Sequence, residues 1–121
     1  MRAKTTEQVT IAAGTALSNA VNLGDKTLSA IVIPAAWSTA ALSFQASDDG
    51  GATWHDHFDW LGNEISAASA DVVAGRRIAV DPSSFRDVDM IKLRSGLTAS
   101  PVNQGTACVL TLIARKYYAL D

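Results

Sequence analysis

Cysteine is almost missing from this chain: Cys108 is the single one among 121 residues. One thiol forms no internal disulfide, so any fold must rest on its core alone. Cys108 lies in the apolar run TACVLTL and reads as a buried, inert thiol. The redox compartment is therefore left open. Charge is also scarce, at 18% of residues, and Glu and Lys are rare. The net charge is −2, and no basic run exceeds Arg76-Arg77. A nucleic-acid binder needs a basic footprint, so no nucleic-acid partner is expected. No apolar stretch approaches the roughly 20 residues that span a bilayer, so no membrane partner is expected either. The opening MRAKTTEQ leads into no apolar segment, and a signal peptide is not expected.

What is present is small and apolar. Ala, Ser, Thr, Gly and Val dominate, and hydrophobic residues make up 48% of the chain. This is the composition of a folded protein and not of a disordered tail. The length fits a single domain over residues 1–121, with short arms at 1–7 and 116–121. The mix suits β-structure and close packing against other chains.

The apolar residues recur with a period of two. Val9 and Ile11 alternate with Gln8 and Thr10, and Leu17, Val21 and Leu23 share one parity. Leu42, Phe44 and Ala46 alternate with Ser43, Gln45 and Ser47. Ile78 and Val80 form one face, and Ile91 and Leu93 another. Each run reads as a strand with one wet face. Leu28 to Ile33 and Ala107 to Ala114 are apolar on both faces, so each is a central strand or meets another subunit. Turn signals fall between the runs at Gly14, Asp48 to Gly51, Gly62-Asn63, Gly75, Asp81-Pro82 and Gly96. About eight short strands result, which predicts an all-β, antiparallel β-sandwich of jelly-roll type, with an immunoglobulin-like sandwich as the alternative. STAAL and EISAASADVV can hold at most a helical turn.

The densest chemistry is SDDGGATWHDHFDW, Ser47 to Trp60. Its first half has the Asp-box pattern Ser-x-Asp-x-Gly-x-Thr-Trp of sialidases. That pattern builds a hairpin turn: Asp49 accepts backbone N–H groups, Gly50 and Gly51 supply positive φ, and Trp54 turns inward. A propeller of such turns does not fit in this length, and a glycosidase is not expected. In the second half, parity puts Trp54, Asp56, Phe58 and Trp60 on one face, expected to fill the core. His55, His57 and Asp59 fall on the other, polar face. Alternate residues stand about 6.5–7 Å apart, so these three are a conceivable metal set, completed by symmetry if several chains meet on an axis. The plainer reading is a solvated strand face without metal.

Other constellations are structural. No Gly-x-Ser-x-Gly elbow, P-loop or dinucleotide fingerprint occurs, so no enzyme and no cofactor is expected. Asp81-Pro82 opens a turn, Ser83 or Ser84 starts a short helical turn, and Phe85 plugs the sandwich end. Arg86 and Asp87 read as a surface pair. Trp37, in IPAAW, is either a core plug or an exposed partner contact. Tyr117 and Tyr118 suit a docking anchor on the C-terminal arm.

Several stretches taken together resemble a known group. They are VTIAAGTALSNAVNLG, LSAIVIPAAWSTAALSFQASDDGGATW, GRRIAVDPSSF and IKLRSGLTASPVNQGTACVLTLIAR. Their order and spacing resemble small proteins of tailed bacteriophages, prophages and phage-derived gene transfer agents. The shared patterns fall on Ile33 to Gly51, Ile78 to Phe85, Ile91 to Gly96 and Pro101 to Arg115. The resemblance implies a virion structural protein made in the bacterial cytoplasm: a head decoration, cement, or spike or fibre-base subunit. It implies symmetric oligomers, other virion proteins as partners, and no catalysis. A second reading is a carbohydrate-binding module that takes a host-surface glycan on Trp37, Trp54 or Trp60.

Overall fold

The computed structural model describes residues 4–116. Its strands are β1 (Lys4–Ile11), β2 (Val21–Asn22), β3 (Thr27–Val32), β4 (Leu42–Ser47), β5 (His55–Asp56), β6 (Ser66–Ala67), β7 (Arg77–Ala79), β8 (Met90–Leu97), β9 (Ser100–Pro101) and β10 (Cys108–Arg115). A short 3₁₀ turn covers Pro82–Phe85. It starts as expected: Asp81 caps it by accepting from the Ser83 N–H, and Phe85 is buried behind it.

The chain forms an all-β sandwich. One sheet runs β1-β10-β3-β7 and the other β2-β8-β4-β5, with β6 also on β4 and β9 on β8. Every pairing is antiparallel. The strand order separates the two expected architectures. An immunoglobulin-like sandwich keeps its first two strands in one sheet. Here β1, β3, β7 and β10 lie in one sheet, while β2, β4, β5 and β8 lie in the other. That to-and-fro is the double-sheet jelly roll. The two strands apolar on both faces, β3 and β10, are the two inner strands of their sheet.

The core is set by period-two faces. Leu42, Phe44, Ile91 and Leu93 come from one sheet, and Val9, Ile11, Leu110 and Leu112 from the other; all are almost fully buried. Burying each such side chain is worth about 1.5–3 kcal/mol. In β3 both Leu28 and Ile31 are buried despite their opposite parity. A bulge explains it. Ile113 pairs with Ala30 and Ala114 with Leu28, so Ser29 is the extra residue and resets the alternation. The Ser29 hydroxyl bonds the Ile113 carbonyl at 3.0 Å.

One end of the sandwich is tied by Gln104, which is fully buried. Its amide accepts from the Ser38 N–H at 2.7 Å and donates to the Ser38 carbonyl and the Ser95 hydroxyl. Its backbone bonds Gly14 and Thr15. Segments around Gly14, Ser38 and Ser95 therefore meet on this one residue, the last two on its side chain. Beside it, β8 turns over Gly96, where φ is 93°. A Cβ there would lie 2.5 Å from the Ser100 carbonyl oxygen, so only glycine fits.

Two expectations are corrected here. Residues 4–7 are no arm, because Lys4 to Glu7 pair with Arg115 to Leu112 and extend β1. At the other end, Lys116 forms an ion pair with Asp25 at 3.1 Å, and the rest of the expected arm, 117–121, lies outside the described residues. Trp37 is a core plug, 7% exposed, and offers no surface for a partner or glycan. It is buried because the chain turns at Pro34, whose carbonyl takes the Trp37 N–H, and drops the indole between the sheets. Tyr117 and Tyr118 lie outside the described residues.

Replacing Gln104 by Ala leaves the Ser38 N–H without its buried acceptor. The expected cost is about 2–4 kcal/mol, read from urea unfolding. A loss below about 0.5 kcal/mol would show that the three segments hold without it.

Candidate functional site

The Asp-box half of the opening motif folds as the sequence predicts. The Asp49 carboxylate accepts from the Thr53 N–H at 2.9 Å and from the Ser47 hydroxyl at 2.8 Å. The Ser47 hydroxyl in turn accepts from the Gly51 N–H at 2.9 Å. Gly50 and Gly51 have φ of 74° and 94°. These hydrogen bonds, led by those from Thr53, hold the Asp49 carboxyl below the ordinary carboxylate range. Its charge is used to shape a turn.

Trp54 differs from expectation. It is half-buried and lies outside the core. Its indole N–H donates to the Gly51 carbonyl at 3.0 Å, and the Lys92 ammonium sits 4.4 Å from the ring centroid. The indole is thus part of the outer face of the second sheet, capped by a cation.

The His-x-His-x-Asp face is also corrected. The expected aromatic core face points to solvent: Phe58 is 46% exposed and Trp60 92%. The expected polar face contributes the inward residue, His57. Its Nε2 lies 2.5 Å from the Ser84 carbonyl oxygen, and its ring is 5.4 Å from that of Phe85. Register is the cause. His55 pairs with Ala46 and Asp56 with Gln45. Ala46 belongs to the buried face of β4, so β4 dictates which side of β5 is inward. The three metal candidates are not brought together. His55 is exposed, His57 meets Ser84, and the Asp59 carboxylate accepts from the Leu61 and Asn63 N–H groups at 2.9 Å each. Among the described residues no group of three or more His, Cys, Asp or Glu side chains is placed to hold a metal ion.

A different feature emerges. β5 and β6 run along the same edge of β4: His55 and Asp56 face Ala46 and Gln45, and Ser66 and Ala67 face Ser43 and Leu42. The His57 N–H reaches the Phe44 carbonyl between them. They amount to one edge strand, split by a hairpin. The hairpin closes through Ile65 N–H to the His57 carbonyl at 3.0 Å and Asp59 N–H to the Asn63 carbonyl at 2.8 Å. Its tip carries Trp60 and Leu61, 92% and 68% exposed. The tip thus holds two large apolar side chains in solvent.

Arg94 anchors this hairpin. It comes from the outer face of β8, yet it is only 6% exposed. Its guanidinium bonds Asp56 at the hairpin base, the Ser43 hydroxyl at 3.2 Å and the Thr98 hydroxyl at 2.6 Å. It also pairs with Glu64 on the returning arm at 3.5 Å. Glu64 accepts from the Thr98 N–H at 3.0 Å and from its hydroxyl at 2.5 Å. The sequence reading missed this cluster, because an alternating Arg on a wet face looks solvated. The one clue was an Arg beside Ser-Gly at a strand end, which no simple rule converts into burial.

Beside the hairpin root a cavity of about 270 Å³ opens between the sheets. Ile31, Leu42, Phe44, Ile78 and Phe85 line its depth, and Ile65 and Ala67 form its lip. Glu64, Asp81 and Ser84 also line it.

Two measurements test the anchor. Arg94→Ala strands Asp56 and Glu64 and is expected to cost about 3 kcal/mol, while hydrogen exchange at residues 57–65 quickens. Arg94→Lys keeps the charge but not the fork and should fall between. A silent Arg94→Ala would remove the anchoring role. The second is acid titration. Burial opposes ionisation of Asp56, but hydrogen bonds from Arg94 and Gln45, with the charges of Arg94 and His55, outweigh it and lower its pKa. A lowered folded value gives stability that is present above the unfolded value, about 4, and is lost as pH falls through the folded one. Asp56→Asn should therefore flatten the fall in stability below about pH 4, measured by urea unfolding against pH. Comparison with known proteins gives no family: no protein-family model matches this chain, and no curated protein matches it.

Proposed function

We propose that this chain is a non-enzymatic virion structural protein, a capsid decoration or cement, or a head spike or fibre-base subunit. It works by symmetric protein–protein contact. The observation that carries the reading is a division of labour. The stretches that resemble phage proteins contain the parts that make the fold. Ser47, Asp49, Gly50 and Gly51 build a turn, Asp81 and Phe85 cap and plug one end, and Arg94, Gly96 and Gln104 lock loops. The exposed Trp60–Leu61 tip lies between those stretches, on a hairpin set into an edge strand. A rigid frame that presents an apolar knob fits a protein that docks.

A glycan reading has one observation in its favour, the fully displayed Trp60 ring. Glycan-array binding that is lost on Trp60→Ala would support an adhesin.

The virion reading is tested on purified particles. The protein is expected to co-purify with them at a fixed copy number. Deleting Tyr117 to Asp121 should leave the fold intact, since β10 ends at Arg115, and should abolish incorporation. Mass spectrometry of the particles reads both. Particles that lack the intact protein would overturn the reading, and normal incorporation of the truncated chain would remove the docking role of the tail.

A further inference from the structure

The fold has one buried charge, and acid can strip it of its partners. Among the described residues Arg94 is the single charged residue that is buried; the other buried polar residues are serines and Gln104. Both of its counter-charges sit on the hairpin, Asp56 at one root and Glu64 at the other. Water reaches them more easily than it reaches the cation: the side chains of Asp56 and Glu64 are 36% and 14% exposed, against 8% for Arg94. Protons therefore have access to the carboxylates while the guanidinium stays enclosed. Its remaining partners, the Ser43 and Thr98 hydroxyls, carry no charge. Around Asp56 stand Gln45 on β4 and the charge of His55 beside it, and Lys92 on the same sheet face lies over Trp54. Around Glu64 stand Thr98 and, across the cavity, Ser84 and a second carboxylate, Asp81.

The hairpin has few other ties to the sandwich. The His57 N–H donates to the Phe44 carbonyl at 3.1 Å, its ring meets the Ser84 carbonyl, and Ser66 and Ala67 pair with Ser43 and Leu42. The tip adds no burial, since Trp60 and Leu61 are exposed. Within itself the hairpin is well closed, from Asp59 to Asn63 and from Ile65 to His57. We propose that the 57–65 hairpin is an acid-released flap: protonation of Asp56 and Glu64 frees it from Arg94, and it swings off the edge of β4 while the rest of the sandwich stays folded. Release lets water reach the guanidinium, which a cation without counter-charges requires. It also uncovers the cavity, because Glu64, Ile65 and Ala67 form one of its walls. Burial opposes ionisation of Asp56, yet the bonds from Arg94 and Gln45 and the charges of Arg94 and His55 prevail, so its carboxyl stays charged until the solution is acid. The hold is complete above the unfolded value, about 4, and is lost as pH falls through the lower, folded one. Asp25, Asp49 and Asp81, also held low, are exposed, and their neutralisation leaves no buried charge behind. The core therefore outlasts the flap. This inference does not depend on the virion reading.

The test is amide hydrogen exchange, followed by NMR on the unaltered full chain from pH 7 to pH 3 and corrected for the intrinsic rate at each pH. Two amides join the flap to the sandwich and report on it: Thr98 N–H, which donates to Glu64, and His57 N–H, which donates to Phe44. Their protection is expected to fall roughly tenfold or more below about pH 4, while Leu110 and Leu112 in β10 keep theirs. Asp56→Asn combined with Glu64→Gln removes both charges at every pH and should show the acid pattern already at pH 7. Unchanged protection of Thr98 and His57 down to pH 3 would overturn the proposal. So would their loss together with that of β10 in a single transition, or a folded double variant that protects both amides at pH 7. If the double variant does not fold, the pH series on the unaltered chain decides alone.

Discussion

The guanidinium of Arg94 is the constraint on which the surface of this sandwich depends. It sits on the solvent side of a sheet, where an arginine is ordinarily wet. Here it is buried because Asp56 and Glu64 close over it from the two ends of a hairpin. A buried cation requires partners that satisfy both its charge and its donors. Two carboxylates and the hydroxyls of Ser43 and Thr98 supply them. Both roots of the hairpin that leaves the edge of β4 and comes back to it are held on this one side chain.

That arrangement orders several features that look unrelated along the chain. Asp56 faces outward because the register with Gln45 puts it there, and Arg94 pairs with Ser43, two residues along β4 and on the same face. His57 is then turned toward Phe85, and the residues after it leave the sheet. Trp60 and Leu61 reach solvent as a consequence of anchoring, not for want of a core to enter. The Asp-box turn plays a parallel part on the other side of β5. It fixes where the chain returns to β4, and so fixes the register on which the placement of Asp56 depends.

Much of the frame is legible in the sequence, and the reasons are physical. β1, β4 and β8 announce themselves by period-two hydropathy, since each turns its apolar residues to the core. The inner position of β3 and β10 follows from their apolar outer faces. The capping of Asp81 and the turn chemistry of Asp49 are local, so spacing alone reveals them. The choice between a jelly roll and an immunoglobulin-like order is not local. It depends on which edges meet, through contacts such as that of Gln104 with Ser38, 66 residues apart. β6 and β9, of two residues each, carry no period at all. The face of His55 to Trp60 was misread for a related reason. A strand of two residues inherits its orientation from its neighbour, and its own hydropathy does not vote.

The split edge strand also bears on how such a sandwich avoids unwanted association. A long, regular edge exposes unpaired backbone groups and invites pairing with any other edge. Breaking the β4-side edge into β5 and β6, with a hairpin standing between them, removes that template. The opposite sheet keeps an eight-residue edge in β1, but it bears Lys4 and Glu7, and Asn19 occupies the Thr10 N–H at 2.7 Å and bonds its carbonyl. Backbone pairing is thus discouraged at β1 and along the β5–β6 edge.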